Sequence, residues 1–220
     1  MMKRVGVMLS GCGLFDGSEI HETTLTLYFL DRAGAAIVCM APDRGQSMVI
    51  NHVSHKPGGE ARNVLVESAR IARGDISDLA DVTADNLDAL IFPGGMGAAG
   101  NLCNFAVSGS NCTVIPEVSA LIEAMHRQKK PMGFICIAPV IAARVLGPLG
   151  PELTVGGDSP TARAIEEMGA RHVICGVDGI VVDETHNVVT TPAYMIGPTI
   201  APVALGIEAL VTEVLSRVKQ

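Results

Sequence analysis

The chain of 220 residues contains no tryptophan, and aromatic residues make up only 3% of it. Proteins that bind single-stranded nucleic acid stack the bases on aromatic side chains, so this scarcity argues against that class. The formal net charge is −7, and no basic cluster occurs beyond the short run 127–130. We therefore expect no nucleic-acid partner.

Long apolar runs and paired metal-ligand motifs are also missing. The apolar segment near the N-terminus is short and is interrupted by Ser10-Gly11-Cys12-Gly13, which is unlike a signal peptide. No segment reaches the length of a membrane span. The six cysteines show no C-x-x-C spacing, and no cluster of ligands indicates zinc. We expect reduced thiols, a cytoplasmic location, no membrane association and no metal.

What the chain does have is a regular alternation of short apolar strands and helices. Hydrophobic residues make up 48% of the sequence, enough for a packed globule. This alternation predicts a mainly parallel sheet covered by helices on both faces, in one domain spanning residues 1–220. Strands are predicted at 2–9, 35–40, 87–93 and 153–155 and in the apolar run that ends at Cys136, a hairpin at 179–191, and helices at 19–32, 60–73, 116–128, 140–146, 160–168 and 197–218.

The most informative segment is 130–139. An apolar run of strand character ends at Cys136, and a helical pattern begins only a few residues later. A strand, a sharp turn with a nucleophilic residue and a helix form a nucleophile elbow. The helix N-terminus at such a turn predicts a lowered thiol pKa. The alternative is a buried cysteine in a core strand, which is common.

Three segments of chemical interest follow predicted strands. They are 10–22, the turn Gly94-Gly95, and Cys136. Because working groups of parallel sheets lie outside the carboxyl ends of the strands, we expect these segments to converge. The two glycines could also serve only to make a tight turn.

Several motifs together resemble a known superfamily. The segments 88–95, 135–139 and the helix that carries Glu22 and ends at Gly34 are similar to the class I glutamine amidotransferase-like superfamily, in its PfpI and Parkinson-associated deglycase branch. Further segments resemble the ElbB family, first named for enhancing lycopene biosynthesis and now described as glyoxalases. These segments are 10–13, 16–22, 49–52, 62–65, 101–102, 104–106 and 190–195.

The resemblance implies a flavodoxin-like three-layer sandwich with Cys136 as the active cysteine. It places Glu22 beside the thiol as proton carrier, with Glu19 as second choice on the same helix face. It also implies that Gly95, in the turn with Gly94, and Ile137 supply amides for an oxyanion.

Other family-matching positions are less clear. Cys12 is a candidate for lining the pocket or for plain packing, and Asn51 is a candidate for substrate binding. His52, Arg62 and Asn63 match the family without a role that we can derive.

One position departs from the amidotransferase pattern. Amidotransferases and protease-like members carry a histidine directly after the cysteine, whereas this chain has Ile137. The usual Cys-His-Glu triad is therefore absent, which argues against glutamine hydrolysis and proteolysis. ElbB-type and deglycase-type members also lack that histidine, so the departure favours them and leaves Glu22 as the evident proton carrier.

The resemblance implies a glutathione-independent glyoxalase that converts glyoxal, and other small 2-oxoaldehydes, to the 2-hydroxy acid. It implies no cofactor, a small 2-oxoaldehyde as the partner, and a homodimer. Three alternatives stay open: a stress- or redox-responsive cysteine protein, an amidotransferase-like subunit that needs a partner, and an accessory protein of isoprenoid biosynthesis.

Overall fold

A seven-stranded sheet forms the centre of the computed structural model, which describes residues 2–219. The strands in chain order are β1 (Arg4–Met8), β2 (Ala36–Ala41), β3 (Ile50–Asn51), β4 (Lys56–Pro57), β5 (Ser77–Asp78), β6 (Ala89–Phe92), β7 (Met132–Ile135), β8 (Glu152–Leu153), β9 (Arg171–His172), β10 (Val181–Asp183) and β11 (Val188–Thr191). The helices are α1 (Ile20–Arg32), α2 (Val64–Ile71), α3 (Met96–Gly100), α4 (Phe105–Ser108), α5 (Pro116–Arg127), α6 (Pro139–Leu146), α7 (Pro160–Glu167) and α8 (Ile200–Ser216).

The strand order across the central sheet is β10-β11-β7-β6-β1-β2-β5. All neighbours are parallel except β10, which pairs with β11 as an antiparallel hairpin. The chain runs from β1 to β2 on one side and later returns to β6 on the other, so the strand order reverses at β1. Ligand sites of open α/β sheets lie at such reversal points, outside the carboxyl ends of the strands.

The middle strands are buried on both faces, which explains why they read as unbroken apolar runs. Every residue of β6 and β7 is buried. The rings of Phe92 and Phe134 stack across these strands, with their centroids 4.7 Å apart. Such a pair contributes about 0.5–1.5 kcal/mol beyond its buried area. Helix α1 packs against α8, and α5 packs against α6, so helices complete the layers.

These observations confirm the predicted fold class, a flavodoxin-like sandwich with a mainly parallel sheet and a hairpin near its C-terminal end. Some boundaries differ. Helix α2 begins at Val64 because Asn63 caps it, accepting a hydrogen bond from the amide of Val66 at 3.0 Å. Helix α8 begins at Ile200, since Gly197 precedes a proline and is disfavoured in helical conformation. Strands β5 and β9 have two residues each, too few for a periodic pattern.

The buried apolar side chains form one cluster that draws on β1, β2, β6, β7 and β11 of the central sheet. This cluster supports the single-domain assignment, which we retain as a proposal. Within residues 2–219, no helix combines the length and the apolar character needed to span a bilayer.

Candidate active site

Cys136 occupies the turn between β7 and α6, as predicted. Its backbone φ is +61°, in the left-handed region that residues other than glycine rarely adopt. Its amide donates to the carbonyl of Thr191, at the end of β11, at 3.0 Å. Backbone strain of this kind costs about 1–3 kcal/mol and clusters at functional sites. The elbow therefore holds the thiol at the carboxyl edge of the sheet.

Glu22 lies in the first turn of α1 and is fully buried. Its Oε2 accepts from the amide of Gly94 at 3.0 Å, and its Oε1 accepts from the amide of Tyr194 at 3.3 Å. The thiol of Cys136 hydrogen-bonds to the same carboxyl group. Glu19 is the N-cap of α1, and its carboxylate accepts from the amide of Glu22 at 2.7 Å. Glu22 therefore contacts the thiol, whereas Glu19 caps the helix that carries Glu22.

The environment of Glu22 favours the protonated carboxyl group. Burial, followed by the charge of Glu19, raises its pKa to about 8, although hydrogen bonds from Cys136, Tyr194 and Gly94 pull the pKa down. At neutral pH this carboxyl group is therefore mostly protonated. A buried carboxyl group with a pKa near the working pH is well suited to both giving and taking a proton.

Burial also raises the pKa of Cys136 well above the usual value of a thiol, and the neighbouring Glu22 carboxyl group adds to the rise. The amides of Gly95 and Ile137 hydrogen-bond to the sulfur and act in the opposite direction. The lowered pKa predicted from the helix N-terminus is therefore wrong, because desolvation outweighs the amides.

The turn after β6 supplies one amide to Glu22 and another to Cys136. The amide of Gly94 holds Glu22, and the amide of Gly95 points toward the sulfur of Cys136. Gly95 has a φ of +95°, and a Cβ there would lie 2.4 Å from the carbonyl oxygen of Gly17. A Cβ on Gly94 would lie 2.5 Å from the Cβ of Cys136 and 2.5 Å from the Oε2 of Glu22. Both positions therefore need glycine for more than turn formation.

We expect Gly94→Ala to lower the free energy of unfolding by about 1–3 kcal/mol, as overpacking does in a tight core. The added methyl group must push Cys136 and Glu22 apart. Gly157→Ala is the matched control, since a Cβ there meets nothing within 4 Å. Urea unfolding of the two variants measures the difference, and equal stabilities would contradict the described packing.

For two of the predicted site residues, Cys12 and Asn51, the structure shows contacts outside the pair of Cys136 and Glu22. Cys12 lies near Glu67, and burial followed by the charge of that glutamate raises its pKa. The Oδ1 of exposed Asn51 accepts from the amides of Val53 and Ser54, both at 3.0 Å, in a turn of the β3–β4 hairpin. Within residues 2–219, no hydrogen bond joins either residue to Cys136 or Glu22. Their roles in substrate binding remain predictions that these contacts do not support.

Sequence reasoning missed the contribution of the segment after β11. The carbonyl of Thr191 holds the elbow and the amide of Tyr194 holds Glu22. Between them, Ala193 has a φ of +44°, a second strained position at the site. The Tyr194 hydroxyl also pairs with the Nδ1 of His21 at 2.8 Å. Because these roles are mostly carried by backbone atoms, side-chain identity gave no signal beyond the family resemblance of 190–195.

The site combines a thiol, a carboxyl group and four backbone amides, those of Gly94, Gly95, Ile137 and Tyr194. Within residues 2–219, no three or more His, Cys, Asp or Glu side chains are grouped so that they could hold a metal ion. The pairing of the Cys136 thiol with the Glu22 carboxyl group is what supports thiol–carboxyl chemistry.

No family model matches this sequence. Two curated relatives match it over most of its length. The human glutamine amidotransferase-like class 1 domain-containing protein 3 is 48% identical, and the match covers 96% of this chain and 82% of the relative. The ES1 protein homolog of Rattus norvegicus is 47% identical, with 96% of this chain and 83% of the relative covered.

Two solved structures resemble this chain, one in both sequence and fold and the other in fold. An isoprenoid biosynthesis protein with an amidotransferase-like domain from Ehrlichia chaffeensis has a TM-score of 0.89 and 34% identity, covering 97% of this chain and 99% of its own. A DJ-1 variant from Schizosaccharomyces pombe has a TM-score of 0.60 and 18% identity, covering 99% of this chain and 92% of its own. The second likeness concerns the fold alone.

These comparisons correct the predicted location. Relatives from human, rat and Danio rerio are all named as mitochondrial proteins, which contradicts the cytoplasmic location expected from the sequence. The expectation rested on cysteine spacing and on the lack of a signal-like apolar run. Organelle targeting depends on segments that receptors read and not on these features, so they could not decide the location.

Proposed function

From the finding that this chain belongs to the family of glutamine amidotransferase-like class 1 domain proteins, we propose that it is a glutathione-independent glyoxalase of the ElbB type. One observation carries the proposal. The buried Glu22 carboxyl group hydrogen-bonds to the Cys136 thiol, and the amides of Gly95 and Ile137 hydrogen-bond to the same sulfur. Likeness to amidotransferase-like and DJ-1 proteins supports the superfamily. The activity itself is our inference from the site.

The reaction begins with attack of the Cys136 sulfur on one aldehyde carbon of glyoxal. The ionised Glu22 carboxylate takes the thiol proton as the carbon–sulfur bond forms. The carbonyl oxygen becomes an oxyanion, which the amides of Gly95 and Ile137 are positioned to stabilise. Glu22 then returns the proton to this oxygen, and the product is a neutral hemithioacetal.

The second stage moves a hydrogen between the two carbons. The Glu22 carboxylate removes the proton from the sulfur-bearing carbon, which gives an enediolate, and delivers this proton to the adjacent carbon. The hydroxyl proton of the sulfur-bearing carbon moves to the oxygen of the adjacent carbon. The result is a thioester of glycolate on Cys136. Water hydrolyses this thioester, which releases glycolate and restores the thiol. Glyoxal and one water are consumed for each glycolate formed, and no external oxidant or reductant is needed.

The restricted access to the thiol favours a small substrate, and two alternative functions, glutamine hydrolysis and a redox role, are less well supported. Cys136 is only 6% exposed, and the neighbouring Ile137 is 8% exposed. Ile137 also stands where amidotransferases place a histidine, so glutamine hydrolysis lacks its usual base. A redox role is disfavoured as well, because oxidants attack thiolates and the Cys136 pKa is raised.

Purified protein assayed with glyoxal, methylglyoxal and glutamine tests the proposal. We expect glycolate from glyoxal, slower formation of lactate from methylglyoxal, and no ammonia from glutamine. Release of ammonia without glycolate would replace the proposal with an amidotransferase activity. The homodimer is part of the same proposal, and sedimentation equilibrium tests it independently.

The pH dependence of turnover should reflect the ionisation of the Glu22 carboxyl group. Because the carboxylate is the base, kcat/KM should rise about tenfold per pH unit and level off above the Glu22 pKa of about 8. Glu19→Gln removes a negative charge that raises this pKa, so the rising limb should move to lower pH. Its amide oxygen can still cap α1. Glu117→Gln on α5 is the control, and a profile that shifts equally in both variants would contradict the assignment.

A further inference from the structure

A second polar region lies at the opposite edge of the sheet from Cys136. It is a depression of about 570 Å³ whose lining includes His126, Lys129, His186, Arg217 and Lys219. His126 and Lys129 precede β7, whereas Cys136 follows the same strand. The turn between β10 and β11 and the end of α8 form the other walls. This region is therefore separate from the candidate active site.

The lining carries unbalanced positive charge, although the whole chain has a formal net charge of −7. Arg217 is already paired with Glu184 in the lining and with Glu213 on α8. Within residues 2–219, no carboxylate lies within ion-pair distance of Lys129 or Lys219. The two ammonium groups are thus available to an anion from outside.

Two imidazoles lie beside these lysines. The rings of His126 and His186 are stacked, with their centroids 5.7 Å apart and an interplanar angle of 28°. The Nδ1 of His186 donates to the Oδ2 of buried Asp183 at 2.9 Å, and its amide donates to the Oδ1 at 2.8 Å. Because its one N–H as a neutral ring is donated to Asp183, His186 orients the pair, and His126 is the imidazole that can donate to an anion.

The backbone around the depression is held in an unusual conformation. Lys129 has a φ of +54° and Asn187 has a φ of +58°, both in the left-handed region. The Nδ2 of Asn187 donates to the carbonyl of Lys129 at 3.0 Å, which locks the two turns together. Strained residues of this kind concentrate at functional sites. This hydrogen bond therefore fixes the backbone of Lys129 relative to the β10–β11 turn.

We propose that this depression binds the oxyanion group of a small phosphorylated metabolite, with Lys129 and Lys219 as ion-pair partners and His126 as a hydrogen-bond donor. The volume exceeds that of a bare phosphate, which leaves room for an organic group. Asp183 lies behind His186 and supports its ring instead of facing the anion.

Binding should be stronger at low pH. Burial and the neighbouring His186 lower the pKa of His126, while the charge of Asp183 raises it. An anion placed between the imidazoles and the lysines favours the protonated ring, so binding takes up a proton. The other charged groups of the lining, Arg217 and Glu184, are paired with each other.

Calorimetric titration with sodium sulfate tests this site, because sulfate keeps its charge between pH 6 and pH 8. We expect tighter binding at pH 6, and about tenfold weaker binding in Lys129→Asn and in Lys219→Gln. Asparagine tolerates the left-handed backbone at position 129. Lys56→Gln, in the exposed β3–β4 hairpin, is the control and should bind as the wild type does.

Two further measurements complete the test. His126→Gln should remove most of the pH dependence, and glycerol phosphate should bind more tightly than inorganic phosphate at pH 8. Equal binding of those two ligands would overturn the assignment to a metabolite in favour of free phosphate. Sulfate binding that is unchanged in both lysine variants would overturn the site itself. None of these measurements depends on glyoxal turnover.

Discussion

Replacing Cys136 with alanine should abolish glyoxal turnover and leave the fold intact. Removal of an enzyme nucleophile lowers kcat by roughly 10³–10⁶-fold, because the covalent route is lost. Cys136 is the thiol that hydrogen-bonds to Glu22, and it occupies the elbow between β7 and α6. Glycolate formation measured with the purified variant gives the rate, and circular dichroism checks the fold.

Cys39→Ala is the matched control for this result. Cys39 is also buried, at 7% exposure, but it belongs to β2 and its raised pKa has burial and Asp75 as causes. We expect this variant to retain near-normal turnover. If Cys136→Ala kept most of the activity while the control behaved as expected, the proposed nucleophile would be wrong.

Glu22→Gln should lose activity by about 10²–10⁴-fold, the usual contribution of a positioned proton carrier. Glutamine retains the shape of the side chain but cannot cycle a proton between the two carbons. Hemithioacetal formation should survive better than the later proton shift, since sulfur attack needs less help. Single-turnover kinetics would separate the two stages. Near-normal turnover by this variant would remove Glu22 from the mechanism.

The same substitution should also change how stability depends on pH. In the folded protein the pKa of Glu22 is raised from 4.5 to about 8. Between these values the unfolded chain releases the proton and the folded chain retains it, so stability falls as pH rises. We expect wild type to lose about 3–4 kcal/mol from pH 5 to pH 8 relative to Glu22→Gln. Urea unfolding at both pH values measures this, with exposed Glu123→Gln as control.

Parallel pH dependence in wild type and Glu22→Gln would mean that Glu22 is ionised in the folded protein. That outcome would contradict the buried, protonated carboxyl group even if the activity loss were observed. The two measurements therefore test position and chemistry separately. Together they predict a protein whose catalytic carboxyl group costs stability at neutral pH.

Local patterns were enough to predict much of the fold. A strand that is buried on both faces reads as an apolar run, and β6 and β7 do so. The apolar run that ends at Cys136 predicted the elbow, because strand, turn and helix are adjacent in the chain. The hairpin of β10 and β11 was predicted for the same reason. Two-residue strands such as β5 carry no period and were not predicted.

The chemistry of the site was decided only by the tertiary structure. The sequence by itself determined which residues could react, since Cys136 follows a strand and the family register points to Glu22. The direction of the Cys136 pKa depends on burial, which no local pattern reports. Gly94 and Tyr194 hold Glu22 through backbone amides, although they lie far from it in the chain. Because every residue except proline carries such an amide, the sequence does not reveal these contacts. Only the tertiary fold, which places Glu22 in the first turn of α1 beside the turns that follow β6, β7 and β11, brings these groups together.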